Sequence, residues 1–290
     1  MLTLSQLING IQIGSIYALV ALGYSLVYGI VRLLNFAHGE IIMVGSYFVF
    51  YLISRAGLSP FIAVPLTIVF CALLGVVIEK LAYKPLRGAA RISLLITAIG
   101  ISLLLQNLVQ LIFTPNPRMF KNLFPGQLSI GEFDISVVTI VTIAVSVVMM
   151  VLLTLLVHKT RMGKSMRAVS EDTEAAQLMG ININTTISFT FAIGSALAAV
   201  AAVLYCSSYS QINPMMGSML GLKAFVAAVL GGIGSIPGAV LGGFVIGIVE
   251  SFTKAYISST LADAIVFGIL IVVLLIKPAG ILGKNTHEKV

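Results

Sequence analysis

Few side chains in this sequence are able to do chemistry. The 290 residues contain 3 histidines, 2 cysteines and 10 carboxylates. No group of them has the spacing of a nucleophile with its base, a pair of catalytic carboxylates or a set of metal ligands. Cys71 and Cys206 each sit inside an apolar stretch, where packing residues belong. Gly163-Lys164-Ser165 has the ending of a phosphate-binding loop, but that loop needs a glycine five residues before Gly163, and His158 stands there. No catalytic residue, metal site or cofactor is expected, and an intramembrane enzyme finds no support.

What remains is the chemistry of holding and passing a polar solute. Lys223 lies a few positions into an apolar block, and an intramembrane charge is by default functional, although a lysine can also snorkel to the interface. His38 is able to carry a proton, but it has no chain of carboxylates to relay one. Glu250 and Lys254 stand four apart on one helix and are expected to satisfy each other. Asp263, near an outer helix end, reads as interfacial. In Asn35-Phe36-Ala37-His38-Gly39-Glu40 the helix must break or turn, with Asn and Gly supplying the turn. The exposed backbone there suits an ammonium or a carboxylate. Asn213-Pro214-Met215-Met216-Gly217 repeats the device. Asn35, His38, Gly39, Glu40, Asn213, Gly217 and Lys223 are therefore the candidates for a translocation pathway or its gate.

The elements that must position these residues are membrane helices. Hydrophobic residues make up 59% of the chain and charged ones 9%, whereas a soluble domain carries about 25% charge. The surface cannot be wetted, so the bilayer is the solvent. Blocks long enough to span, about 20 residues, run over 7–31, 60–81, 92–113, 135–157, 185–206, 237–257 and 261–277. Two shorter glycine-rich blocks, 39–54 and 219–233, are short spans or re-entrant segments. The first block has no basic leader and reads as a retained helix. The fold class is all-α, a polytopic membrane protein of about 8–9 transmembrane or re-entrant helices.

A net charge of +7 invites a nucleic-acid reading, but the basic residues punctuate apolar blocks and instead set orientation. If all nine blocks cross, Arg32, Lys80, Lys84, Arg87, Arg91, Lys159, Arg161, Lys164, Arg167, Lys277, Lys284 and Lys289 fall on one side, the cytoplasm. The C-terminus is then inside, and the loop at 114–134, with Glu132 and Asp134, is outside. An internal repeat refines this. Gly14-Ser15 matches Gly194-Ser195, Asn35 to Gly39 matches Asn213 to Gly217, Pro60 matches Pro237, and Gly75 to Glu79 nearly matches Gly247 to Glu250. The single domain 1–290 thus divides into repeat one (about 7–113), a linker helix (135–157), a cytoplasmic loop (158–184) and repeat two (about 185–277). One linker helix inverts the second repeat, a transporter signature. Gly10/Gly14, Gly217/Gly221, Gly238/Gly242 and Gly243/Gly247 allow close helix packing.

The loop 158–184 holds a short helix. Ser170 is its expected N-cap, Glu171, Asp172 and Glu174 suit its positive end, Ala175, Ala176, Leu178 and Met179 form an apolar face, and Gly180 stops it. Such a knob suits a cytoplasmic partner. An ATP-driven importer and an ion-coupled secondary amino acid transporter both remain compatible with the inverted halves.

Glu174-Ala175-Ala176-x-x-x-Gly180 resembles the coupling motif of ABC importer permeases, without the Ile-x-Leu-Pro ending of the fuller motif. Leu22 to Gly39, Gly221 to Gly243 and Arg167-Ala168 to Gly180 are similar, in order, to the LivH-type branched-chain amino acid permeases. The resemblance implies a type II ABC importer-like subunit in a bacterial inner membrane that transports leucine, isoleucine or valine. It implies a related LivM-type permease, two cytoplasmic ATPase subunits that bind the ATP, and a periplasmic binding protein as partners, and no nucleic acid. Arg167, Asp172, Glu174, Ala175, Ala176 and Gly180 would then couple to the ATPase. A zwitterion must not be trapped on its way, and the sequence offers no large charge cluster at the midplane.

Overall fold

A computed structural model of the chain describes residues 2–32, 34–130 and 133–283. Lys284, Lys289 and Glu132, which entered the orientation argument, lie outside the described residues. The backbone is helical almost throughout: α1 (Leu2–Val31), α2 (His38–Ser54), α3 (Pro60–Ile78), α4 (Arg91–Phe113), α5 (Val137–Lys159), α6 (Arg161–Glu171), α7 (Thr173–Leu178), α8 (Ile183–Tyr209), α9 (Met216–Gly231), α10 (Ile236–Tyr256) and α11 (Ser259–Ile276). A π-helical turn, Glu79–Tyr83, continues α3. Seven of these segments are long and apolar enough to cross a membrane, and α2 and α9 are shorter apolar helices. The all-α polytopic membrane fold read from composition is the observed one.

Hydropathy alone does not say which spans meet lipid; packing does. An 18-residue apolar stretch of α1 is 83% buried within the protein, whereas α11 is only 11% buried. The helices α3, α4, α5 and α11 turn large apolar side chains outward, among them Phe61, Leu73, Leu111, Leu152 and Leu275. In water these would be an extended sticky surface, and in a bilayer they are the lipid face.

At the centre, α1 and α8 cross antiparallel. Gln12 of α1 hydrogen bonds Ser208 of α8 at 3.0 Å, and eleven residues on, Gly23 of α1 lies against Gly194. Each of the two then packs on a further helix, α1 on α10 and α8 on α3. At the first of these contacts a Cβ on Gly10 would stand 2.8 Å from the Ile248 Cα, and one on Gly14 2.8 Å from the Phe244 Cα. The small-residue spacing therefore serves backbone contact between helices. Cys71 and Cys206 are free and buried, as packing residues.

The few strands form two caps. β1 (Arg118–Met119) pairs antiparallel with β4 (Gln211–Ile212), and β2 (Gln127–Ile130) with β3 (Phe133–Ser136). The first pair ties the loop after α4 to the connection between α8 and α9. Arg32 at the other end of the bundle donates to the Ser170 carbonyl at 3.3 Å, holding the end of α1 to α6.

Candidate functional site

The two helix breaks are built alike. Asn35 Oδ1 accepts the Ala37 N–H at 3.1 Å, and Asn213 Oδ1 accepts the Met215 N–H at 3.0 Å. The Asn35 carbonyl accepts the His38 N–H at 3.0 Å, and the Asn213 carbonyl accepts the Met216 N–H at 3.2 Å. A short polar side chain that bonds its own backbone two residues on is a turn-former, which is why asparagine marks both sites. His38 packs edge-on against Tyr24 at 4.8 Å and against Gly23. Gly23 lies well before the end of α1, so α2 starts inside the bundle, and so does α9, whose Gly217 meets Gly39. Neither is a full span. At about 1.5 Å per residue, the 17 residues of α2 and 16 of α9 reach about 25 Å each, short of a hydrocarbon core of about 30 Å.

The sequence thus brings Asn35, His38, Gly39, Glu40, Asn213 and Gly217 to one place, the junction of two helix N-termini. Glu40 is wholly buried there, and its Oε1 accepts Ser218 Oγ at 2.6 Å and Ser102 Oγ at 3.3 Å.

Lys223 is elsewhere. It is buried in α9, and its Nζ contacts Glu250 Oε1 at 2.8 Å and Asp263 Oδ1 at 2.6 Å. Lys254 Nζ reaches the same Glu250 oxygen at 2.6 Å, and Tyr17 Oη donates to Glu250 Oε2 at 2.6 Å. Packing adds a cluster that the sequence reading did not foresee: four charged side chains and a tyrosine join α1, α9, α10 and α11. Asp263, close to the start of α11 and with its side chain 41% exposed, is also an ion-pair partner. The reason is that the charges are far apart in sequence, and only helix packing brings them together. Each charge being paired, the cluster reads as a clamp between helices, with Lys254 and Asp263 at its exposed edge.

The short helix of the 158–184 loop is α7. Asp172 Oδ1 caps it by accepting the Ala175 N–H at 2.9 Å. Ser170 is not the cap, because it lies in the last turn of α6 and donates to the Arg167 carbonyl at 2.7 Å. Two helices meet at this corner, and the residue between them takes the extended conformation a cap needs: Asp172, φ −152° and ψ 111°. Gly180 follows at φ +83°, a left-handed conformation that favours glycine. Ala176 is buried, while Arg167, Asp172, Glu174, Ala175 and Gly180 are exposed, and Leu178 and Met179 stand out with 89% and 83% of their surface bare. Asp172→Ala should loosen α7 by about 1 kcal/mol, read as faster proteolysis or amide exchange over 173–179 with the spans unaffected.

A family described as "Branched-chain amino acid transport system / permease component" matches residues 6–275. The chain belongs to this permease family. The high-affinity branched-chain amino acid transport system permease protein BraD of Pseudomonas aeruginosa is 45% identical, over 99% of this chain and 98% of its own. LivH of Escherichia coli K12 is 44% identical over 99% and 97%, and the probable LivH of Methanocaldococcus jannaschii 32% over 93% and 90%. The structure titled "PsaBC from Streptococcus pneumoniae in complex with Fab" aligns with a TM-score of 0.51 and 15% identity, covering 94% of this chain and 91% of that one, which concerns fold alone.

In this permease a set of side chains that sequence reasoning did not single out lies between α7 and the first helix break. Arg87 donates to Asn184 Oδ1 at 2.8 Å, just beyond α7, and pairs with the buried Glu79. Ser188 Oγ donates to the other Glu79 oxygen at 2.6 Å. Four residues along the π-helical turn, Tyr83 Oη donates to Asn35 Oδ1 at 2.8 Å. Glu79 entered the sequence reading only as the repeat mate of Glu250. That pairing was itself the signal, since Glu79 holds α3 to Ser188 of α8 as Glu250 holds α10 to Tyr17 of α1.

Proposed function

We propose that the chain is the membrane permease subunit of an ATP-binding-cassette importer of branched-chain amino acids, chiefly leucine, isoleucine or valine. The single observation that carries this is membership of the permease family over nearly the whole chain. ATP is hydrolysed by two separate cytoplasmic subunits, a periplasmic binding protein delivers the substrate, and a related LivM-type permease completes the route. The chain sits in the inner membrane with its C-terminus in the cytoplasm, which the basic residues around α6 and α7 favour. Two inverted repeats form one permease domain, and solute passes where α2 and α9 break, past Asn35, His38, Gly39, Glu40, Asn213 and Gly217. The clamp around Lys223 gates that route by holding α9 to α10 and α11. Arg167, Asp172, Glu174, Ala175, Ala176 and Gly180 take the push of the ATPase, a role to which the exposed Leu178 and Met179 are suited.

The test is reconstitution. Vesicles holding the permeases and ATPases are expected to take up leucine only with ATP and binding protein together, and uptake driven by a sodium or proton gradient without ATP would sink the proposal. Replacing Glu174, or Gly180 by valine, should lower uptake roughly tenfold, a typical coupling energy between sites, while ATP hydrolysis continues. Full uptake by both variants would remove the coupling assignment.

A further inference from the structure

Three glutamates are buried among the described residues, Glu40, Glu79 and Glu250. Two of them are neutralised: Glu79 has Arg87 and the Ser188 hydroxyl, and Glu250 has Lys223, Lys254 and the Tyr17 hydroxyl. Glu40 differs. Among the described residues no cation pairs with it, and hydroxyls alone meet its Oε1. Its Oε2 is buried without a hydrogen-bond partner, and two residues earlier His38 Nε2 is in the same state. Buried polar atoms are nearly always satisfied, and an unpaired buried carboxyl is costly.

Its place in the fold says what it waits for. Glu40 stands where the N-termini of α2 and α9 meet, with the Ser218 hydroxyl on its Oε1 and the Tyr24 hydroxyl beside Gly221. A Cβ on Gly217 would stand 2.6 Å from Glu40 Oε2, and one on Gly221 2.9 Å from the Gly39 Cα. Glycines let the two helix ends touch, and parting them would open a slot walled by backbone, the Glu40 carboxyl and the Ser102, Ser218 and Tyr24 hydroxyls. A primary ammonium brings three donors and no acceptor. That complements an acceptor-only oxygen beside two hydroxyls that are able to accept as well as donate.

We propose that Glu40 is the receiving group for the α-ammonium of the transported amino acid, its Oε2 taking the ammonium when α2 and α9 part, with Ser102 and Ser218 completing the shell. This rests on the reading of the helix breaks as the solute route and adds the substrate group that is recognised there. The contact is transient because closure returns Glu40 to its two serines.

The test uses the whole assembly in vesicles, with leucine-loaded binding protein at saturation. Glu40→Gln keeps the shape and removes the charge. Uptake should fall at least about tenfold, the scale of a lost hydrogen bond to a charged group, and Glu40→Asp should recover part of it. On the unaltered protein, a lipid-soluble carbodiimide should modify Glu40 during turnover, and leucine-loaded binding protein should slow that modification several-fold relative to empty binding protein. Normal uptake by Glu40→Gln overturns the proposal, because a carboxyl that merely packs tolerates the amide. Modification that leucine does not slow overturns it too, including where Glu40→Gln fails to assemble. If the unaltered assembly does not import leucine at all, the reading of the function fails instead, so the two failures are distinguishable.

Discussion

Glu250→Ala should destabilise the bundle by about 3–5 kcal/mol, the range for removing one member of a buried ion pair. Three contacts go at once, from Tyr17, Lys223 and Lys254. Lys223 is left buried with Asp263 alone, and the phenol of Tyr17 loses its acceptor. Lys254→Ala takes one contact from the same oxygen but should cost less than about 1 kcal/mol, because that side chain is 38% exposed and its pairing is screened. Denaturant titration of the purified protein in detergent micelles will separate the two. Equal losses for Glu250→Ala and Lys254→Ala would show that the four-helix clamp is not what holds α1 to α10.

Gly14→Val should be comparably damaging by a different route. The first atom of the new side chain would stand 2.8 Å from the Phe244 Cα and 3.0 Å from the Gly243 carbonyl oxygen. Backbone cannot give way as a flexible side chain can, so α1 and α10 must move apart, and overpacking of this kind costs about 1–3 kcal/mol or more. Gly100 and Gly268 are the internal controls, with nothing within 4 Å of an added Cβ, and valine at either should be nearly neutral. Size-exclusion profiles and melting temperatures of the three variants decide it. A Gly100→Val protein as damaged as Gly14→Val would mean that the bilayer, not the contact between α1 and α10, penalises the larger residue.

Much of the fold was legible in the residues themselves because the relevant forces are local. Twenty apolar residues in a row can only be a span, and the seven long blocks are the seven long helices. Asn-x-x-x-Gly marked both helix breaks because asparagine bonds its own backbone two residues on, at Asn35 and again at Asn213. Gly180 ended α7 because its left-handed φ favours glycine. The capping residue was misplaced by two positions, at Ser170 instead of Asp172, since any short polar residue near an acidic turn is able to cap. Which one does depends on where the preceding helix stops, and α6 runs on to Glu171.

The pairing of charges was not legible. Glu250 and Lys254, four apart, were expected to meet and do. Tyr17 and Glu250 are 233 residues apart and Lys223 and Glu250 are 27 apart, and no local rule joins them. The sequence by itself determined the solvent, the spans, the two breaks and the exposed knob, because hydropathy, turn chemistry and capping act over a few residues. Only the tertiary structure decided that Lys223, Glu250 and Asp263 form a clamp, that Tyr83 reaches Asn35, and that Glu40 alone among the described buried glutamates lacks a cation. Those outcomes depend on how the helices pack glycine against backbone, and that packing sets which distant side chains meet.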